Sequence, residues 1–260
     1  MSSPITTIVL PVAGRGARLM PLTLNTPKAL VPILDKPLLF YLLEEAALSG
    51  MKDVVFITNP GVRKQFEAFL GKTTSQFPEL QFHLYDQLEP WGHGRAILSA
   101  YEFLKGKPFI IRFSDDLIFG EEPVSLSLSR LFDTHQKPIM LLEAVPPERA
   151  SLYGVVGIQE SLSPTLHRIS KFVEKPKDPP SNLSVVGGYV FTPDLLEHLR
   201  ELEKEAPQVP DGLLISDSFH PALSLGGEIL GWQFPAQRFD CGNLEGLHLA
   251  EEFLKKKSVI

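Results

Sequence analysis

What most limits the fold of this chain is a rhythm: short apolar runs alternate with helical patterns through the first part of the sequence. Ile5–Leu10 reads as a buried strand, and Asp53–Thr58, Leu80–Asp86, Pro108–Phe113 and Pro138–Val145 read as further strands. Between them, Pro37–Leu48, Gly61–Leu70, Gly94–Leu104 and Ser125–His135 carry the spacing of amphipathic helices. Pro37 suits a first helical position and Gly50 a stop. Strands separated by helices predict an α/β protein with a mixed, mostly parallel sheet in three layers. Beyond position 150 the rhythm changes. Val155–Gln159, His167–Phe172 and Val185–Phe191 are strands without long helices between them, a β-rich addition. Pro193–Leu202, Leu213–Leu223 and Leu244–Lys256 read as helices and Glu228–Phe234 as a strand. No repeat or linker divides the chain, so one domain is expected over residues 1–260.

Composition narrows the function classes. With 25 Lys and Arg against 31 Asp and Glu the net charge is −6, which argues against a dedicated nucleic-acid binder. The single cysteine, Cys241, permits no intrachain disulfide and fits a reducing compartment. The start Met1-Ser2-Ser3-Pro4 lacks the charged and apolar regions of a signal peptide. No apolar run approaches the ~20 residues that span a bilayer. A soluble cytoplasmic protein without membrane or nucleic-acid partners is the expectation.

The first strand runs into Pro11-Val12-Ala13-Gly14-Arg15-Gly16-Ala17-Arg18-Leu19. Glycines hold backbone shapes closed to other residues, and a strand that ends in such a turn with cations beside it is built to receive phosphate. The pattern is neither a dinucleotide fingerprint, which would need Gly at Leu19, nor a Walker loop, which would need Gly-Lys-Ser/Thr. A tight turn with solvated arginines would look the same. The following connection, from Pro21 through Thr26-Pro27-Lys28-Ala29-Leu30-Val31-Pro32 to Pro37, is stiffened by proline and carries Lys28 among apolar neighbours. That is a plausible phosphate clamp beside the glycine turn; the bland alternative is an exposed charge.

The stretch LPVAGRGARLMPLT…TPKALVPILDKPLLFYLLEEA resembles the signature of the sugar-1-phosphate nucleotidylyltransferases, nearest to their bacterial UTP–glucose-1-phosphate uridylyltransferase branch. QLEPWGHGRA, FSDDL, LYGVV, FVEKPK, VVGGYVF and FDCGNLEG extend the resemblance, in family order, over nearly the whole chain. It implies a Rossmann-like nucleotide-diphospho-sugar transferase fold with a small β-rich sugar-binding insertion. The nucleotide part would lie at about 1–150, the sugar and closing part at about 151–260. The implied reaction joins a nucleoside triphosphate to a sugar 1-phosphate and releases pyrophosphate. The nucleophile is the sugar phosphate, so the protein contributes positioning and charge rather than a serine or cysteine.

Carried onto this sequence, the resemblance gives Arg18, Lys28 and Lys175 catalytic roles. The backbone of Ala13, Gly14 and Gly16 would meet the nucleotide, and Gln87 with Gly92 its base. Gly154, Glu174, Lys175 and Gly187 would face the sugar. Asp115 and Asp240, each expected at a strand end (Phe109–Phe113 and Glu228–Phe234), would share one Mg²⁺. Asp116 is the alternative to Asp115, and an Asp-Asp pair at a strand end is by itself an ordinary cap or turn. Trp91, His93 and Cys241 read as packing. Ala17 departs from a frequent threonine, and PKAL resembles the thymidylyl- and mannose-type enzymes, whereas Asp-Cys-Gly-Asn points to UTP. The readings left open are UDP-glucose synthesis, the same chemistry with dTTP or another sugar, and a non-catalytic nucleotide-sugar-binding regulator. A homo-oligomer, dimer or tetramer, is implied by the family.

Overall fold

The computed structural model describes residues 4–14, 16–206, 208 and 212–257. Arg15 of the glycine turn lies outside them. The fold is α/β with a mixed sheet, and its strands and helices form two compact units built from interleaved stretches of chain. One comprises 6–88, 112–127 and 236–260, and the other 1–5, 89–111 and 128–235.

In the first unit Thr7–Pro11, Asp53–Thr58 and Gln81–Asp86 pair in parallel, Val9 opposite Val55 and Val55 opposite His83. Ile8, Val9, Leu10, Val54, Val55, Phe56 and Ile57 are buried, the continuous apolar run expected of strands covered on both faces. Helix Leu38–Leu48 buries Leu38, Leu39, Leu42, Leu43 and Ala46 and is closed by Gly50 at φ 72°. Helix Arg63–Thr73 follows the second strand. Two short ladders escaped the sequence reading: Pro32–Ile33 with Lys36–Pro37, and Asp116–Phe119 antiparallel to Gln237–Asp240. Phe119, Phe239 and Phe253, the last from helix Leu244–Lys257, pack their rings beneath the second ladder.

The other unit orders its strands Phe109–Arg112, Leu183–Phe191, Ile139–Ala144, Leu230–Gln233, Leu166–Glu174, Gly154–Ser161. Ile139–Ala144 is parallel to Leu230–Gln233 and antiparallel to Leu183–Phe191. The antiparallel pair Gly154–Ser161 and Leu166–Glu174 is the β-rich addition. Two helices expected to be continuous are broken. Gly94–Leu104 divides into His93–Leu98 and Tyr101–Leu104, with the Ser99 hydroxyl turned back onto the Arg95 carbonyl at the break. Leu213–Leu223 is a 3₁₀ turn, Ile215–Ser218, leading into helix Phe219–Ser224.

Candidate active site

The glycine turn sits beyond the carboxyl end of Thr7–Pro11, where open α/β sheets receive ligands. Its carbonyls are tied down: Asn59 Nδ2 donates to Ala13 at 2.9 Å and the Thr23 hydroxyl to Gly16 at 2.8 Å. Gly16 has φ 64°, and a Cβ there would stand 2.9 Å from both Lys28 Cβ and Thr23 Cγ2. Glycine is therefore what lets the Lys28 stem lie against the turn.

Lys28 Nζ lies 2.7 Å from Asp115 Oδ2, and Arg18 reaches Asp115 at 3.8 Å and Asp240 at 3.5 Å. Two cations and two carboxylates thus meet around one point. That point is marked by Gly242: a Cβ on it would be 2.5 Å from Asp115 Oδ2, 2.6 Å from an Arg18 terminal nitrogen and 2.9 Å from Asp240 Oδ1. Burial pushes the Asp115 carboxyl pKa up. The Lys28 charge and hydrogen bond, the local backbone and Arg18 outweigh it and hold the carboxyl below the usual range. The four charges balance, and the close contact with Asp115 holds Lys28 in place before any phosphate arrives, while the exposed Arg18 is held more loosely.

The sequence reading placed Asp240 at the end of a strand Glu228–Phe234. That strand is Leu230–Gln233 and ends before it; Asp240 closes Gln237–Asp240 instead. Asp115 is not at a strand end either but in the turn between Phe109–Arg112 and Asp116–Phe119. The two aspartates converge because the short ladder sets Asp240 opposite Asp116, and the Cys241 amide donates to the Asp115 carbonyl at 2.7 Å. Asp116 itself is occupied: its carboxylate accepts from Arg238 at 2.6 and 2.7 Å. Cys241 is buried, and burial together with Asp115, Asp116 and Asp240 pushes its thiol pKa far up, which makes it an inert packing group.

The remaining residues sit in local settings of their own. Gln87 follows strand Gln81–Asp86, its amide donating to the Thr58 carbonyl at 2.8 Å. Gly92 has φ 93°, and a Cβ there would stand 2.1 Å from the Leu213 carbonyl oxygen. The Trp91 carbonyl accepts from the Leu213 amide at 3.1 Å, and His93 Nδ1 accepts from the Ile215 amide at 3.0 Å. Gly154 pairs in register with Glu174, and a Cβ on it would meet Glu174 Oε2 at 2.6 Å. Lys175, at φ 43°, lies 3.5 Å from Glu174. Gly187 is buried where the register of Leu183–Phe191 shifts, between Val185 and Tyr189. The sequence reading missed Gly242, Asn59 and Thr23. Gly242 could have been found, since it stands in the FDCG motif; Asn59 and Thr23 carry no local signal.

A glycine turn on a parallel strand, with two cations and two carboxylates meeting around one point, defines an α/β protein with a charged site of the kind that suits phosphate. The chain belongs to the nucleotidyl transferase family, whose model matches residues 7–257. It is 31% identical over 270 residues to the UTP–glucose-1-phosphate uridylyltransferase of Streptococcus pneumoniae, covering 95% of this chain and 89% of that one. It is 30% identical to the protein of the same name from Pseudomonas aeruginosa, with 94% of each chain covered. Among solved structures it is similar to a UDP-glucose pyrophosphorylase complexed with UDP-glucose, with a TM-score of 0.87 and 32% identity over 97% of this chain and 99% of that one. An apo UDP-glucose pyrophosphorylase aligns with a TM-score of 0.88 and 30% identity, covering 98% and 99%.

Proposed function

We propose that this protein transfers a uridylyl group from UTP to glucose 1-phosphate, giving UDP-glucose and pyrophosphate. The observation that carries the reading is the convergence of Lys28, Arg18, Asp115 and Asp240 beside the glycine turn. The substrates are taken from the relatives named above, two UTP–glucose-1-phosphate uridylyltransferases and a UDP-glucose pyrophosphorylase complexed with UDP-glucose. An oxygen of the sugar phosphate attacks the α-phosphorus, the bond to the β-phosphate breaks, and pyrophosphate leaves in line. The backbone of Ala13, Gly14 and Gly16 holds the triphosphate. Lys28 and Arg18 stabilise charge that builds on the transferring and leaving phosphates. Lys175 and Glu174, beside Gly154 and Gly187, take the sugar phosphate and hydroxyls. Gln87 and Gly92 read the base. In this reading the nucleotide part would be about 1–150 and the sugar-binding and closing part about 151–260.

Asp115 and Asp240 fit Mg²⁺. They are hard oxygen donors facing one point, and among the described residues no cluster of three or more acidic, His or Cys groups offers a complete cage. Mg²⁺ is commonly held by one or two carboxylates with phosphate oxygens completing its shell. When bound, it neutralises phosphate charge. No helix among the described residues is long and apolar enough to cross a membrane. A cytoplasmic homo-oligomer, dimer or tetramer, completes the proposal.

The test is pyrophosphate release with Mg²⁺ across UTP, dTTP, CTP, GTP and ATP against glucose, galactose and mannose 1-phosphates. Strong release with UTP and glucose 1-phosphate alone is expected. Release with another pair would correct the substrate, and silence throughout would overturn the reading in favour of a binding protein.

A further inference from the structure

One of the largest fully buried side chains in the molecule is an arginine. Arg112, 0% exposed, ends strand Phe109–Arg112 three residues before Asp115. Its Nε donates to Glu45 Oε1 and a terminal nitrogen to Glu45 Oε2, both at 3.2 Å. The same terminal nitrogen donates to the Asp116 carbonyl at 3.0 Å. Glu45 comes from helix Leu38–Leu48, is 10% exposed, and also accepts from the Ser125 hydroxyl. On the other side of the turn the Asp116 carboxylate, 8% exposed, holds Arg238 of strand Gln237–Asp240.

A buried ion pair is a poor device for stability alone, because apolar groups of the same volume often serve as well or better. This one does something an apolar pair could not. Arg112 grips the carbonyl just after Asp115, while Cys241 donates to the carbonyl of Asp115 itself. Asp116 then ties the turn to the strand that ends in Asp240. Only the Asp115 side chain is left to point at Lys28 and Gly242.

We propose that the buried Glu45–Arg112 pair, continued through Asp116–Arg238, is a positioning relay that sets the aim and spacing of the Asp115 and Asp240 carboxylates for the divalent ion and triphosphate. The inference rests on the proposed function and names which residues, themselves away from substrate, the site depends on. Outer partners that orient metal-binding groups typically carry 10- to 100-fold of affinity or rate.

The test replaces the pair by apolar groups of similar volume, Glu45→Leu with Arg112→Met, alongside Arg112→Lys and Asp115→Asn. The readouts are thermal unfolding, calorimetric binding of Mn²⁺ with UTP, and kcat and KM for each substrate. The relay predicts a folded double variant with an unfolding midpoint near that of the native protein. Its Mn²⁺–UTP affinity and kcat should be down about 10- to 100-fold, with KM for glucose 1-phosphate unchanged and partial rescue by Arg112→Lys. A folded double variant with native metal binding and kcat overturns the relay. If the double variant does not fold, Arg238→Lys, which keeps the charge but loses the fork geometry, must show the same split of binding from stability or the relay fails. Asp115→Asn separates the two levels: native Mn²⁺–UTP binding in that variant would defeat the site reading itself, whatever the relay does.

Discussion

Gly242→Ala tests the geometry of the site directly. A Cβ at 242 would stand 2.5 Å from Asp115 Oδ2, 2.6 Å from an Arg18 nitrogen and 2.9 Å from Asp240 Oδ1, whereas ordinary contact begins at 3.4 Å. Arg18, 64% exposed, can swing away at little cost. Asp115 cannot, since Lys28 holds one of its oxygens at 2.7 Å and it is only 14% exposed. Its carboxylate must therefore retreat by about 0.9 Å, and a misplacement near 1 Å costs on the order of 100-fold in rate. That is about 2.7 kcal/mol in the barrier. The backbone at 242 is not in the left-handed region reserved for glycine. Alanine gains up to about 1 kcal/mol by narrowing the unfolded ensemble, but displacing the paired Asp115 carboxylate costs about 1–3 kcal/mol, so a net loss of up to about 2 kcal/mol is expected in a chain that stays folded. Continuous pyrophosphate release gives kcat/KM, and thermal unfolding gives the stability. Activity within threefold of the native protein, in a variant that thermal unfolding shows to be folded, would refute the claim that the two carboxylates must converge on that point.

Lys28→Ala should lower kcat by about 100-fold or more without unfolding the chain. It also has a pH signature. In the native protein the depressed Asp115 pKa contributes stability above the ordinary carboxylate range, and that stability is lost as the pH falls through the folded value. Without Lys28 burial is opposed only by the local backbone and Arg18, the pKa rises, and the variant's deficit in unfolding midpoint should be larger at pH 7 than near pH 4; an equal deficit at both would deny the coupling. Lys175→Gly should keep stability within about 1 kcal/mol, because glycine accepts the φ of 43° that lysine holds under strain, yet lose turnover and raise KM for the sugar phosphate. Retained kcat/KM would remove Lys175 from the site. Cys241 should resist a thiol reagent at pH 8 until the protein unfolds, given its burial and raised pKa; rapid labelling of the native form would mean the site is open where the structure closes it.

Much of this architecture was legible in the chain. Asp53–Thr58 was placed to the residue, and Leu38–Leu48, Val124–His135 and Pro193–Glu203 nearly so. Apolar period, proline at starts and glycine at stops are local signals. The failures were of two kinds. The ladder Asp116–Phe119 with Gln237–Asp240 is made of strands too short for periodicity to register, so Asp240 was hung on the wrong strand. Gly94–Leu104 has an unbroken helical pattern, but the backbone at Ala100 turns to φ −107° and ψ 17° and divides it, and hydrophobic spacing carries no mark of that turn. In the site, Lys28 stood out as a lone cation on a proline-stiffened loop, but the roles given to Lys28, Arg18 and Asp115 came from the resemblance, since solvated arginines and an Asp-Asp cap would look the same in the sequence. Asn59 and Thr23, which pin the glycine turn, were not legible, because a hydrogen bond to a carbonyl puts no constraint on the residues around it.

By itself the sequence determined the order and kind of the main elements, the glycine turn, and the charged residues available to meet phosphate, all of them set by neighbours a few positions away. The tertiary structure alone decided that Lys28, Arg18, Asp115 and Asp240 share one point around Gly242, and that an arginine three residues from Asp115 is buried against Glu45. Those facts depend on strand pairing and packing between distant stretches of chain. There the competing costs of burying charge and of leaving a carbonyl unpaired are settled only when the whole fold is in place.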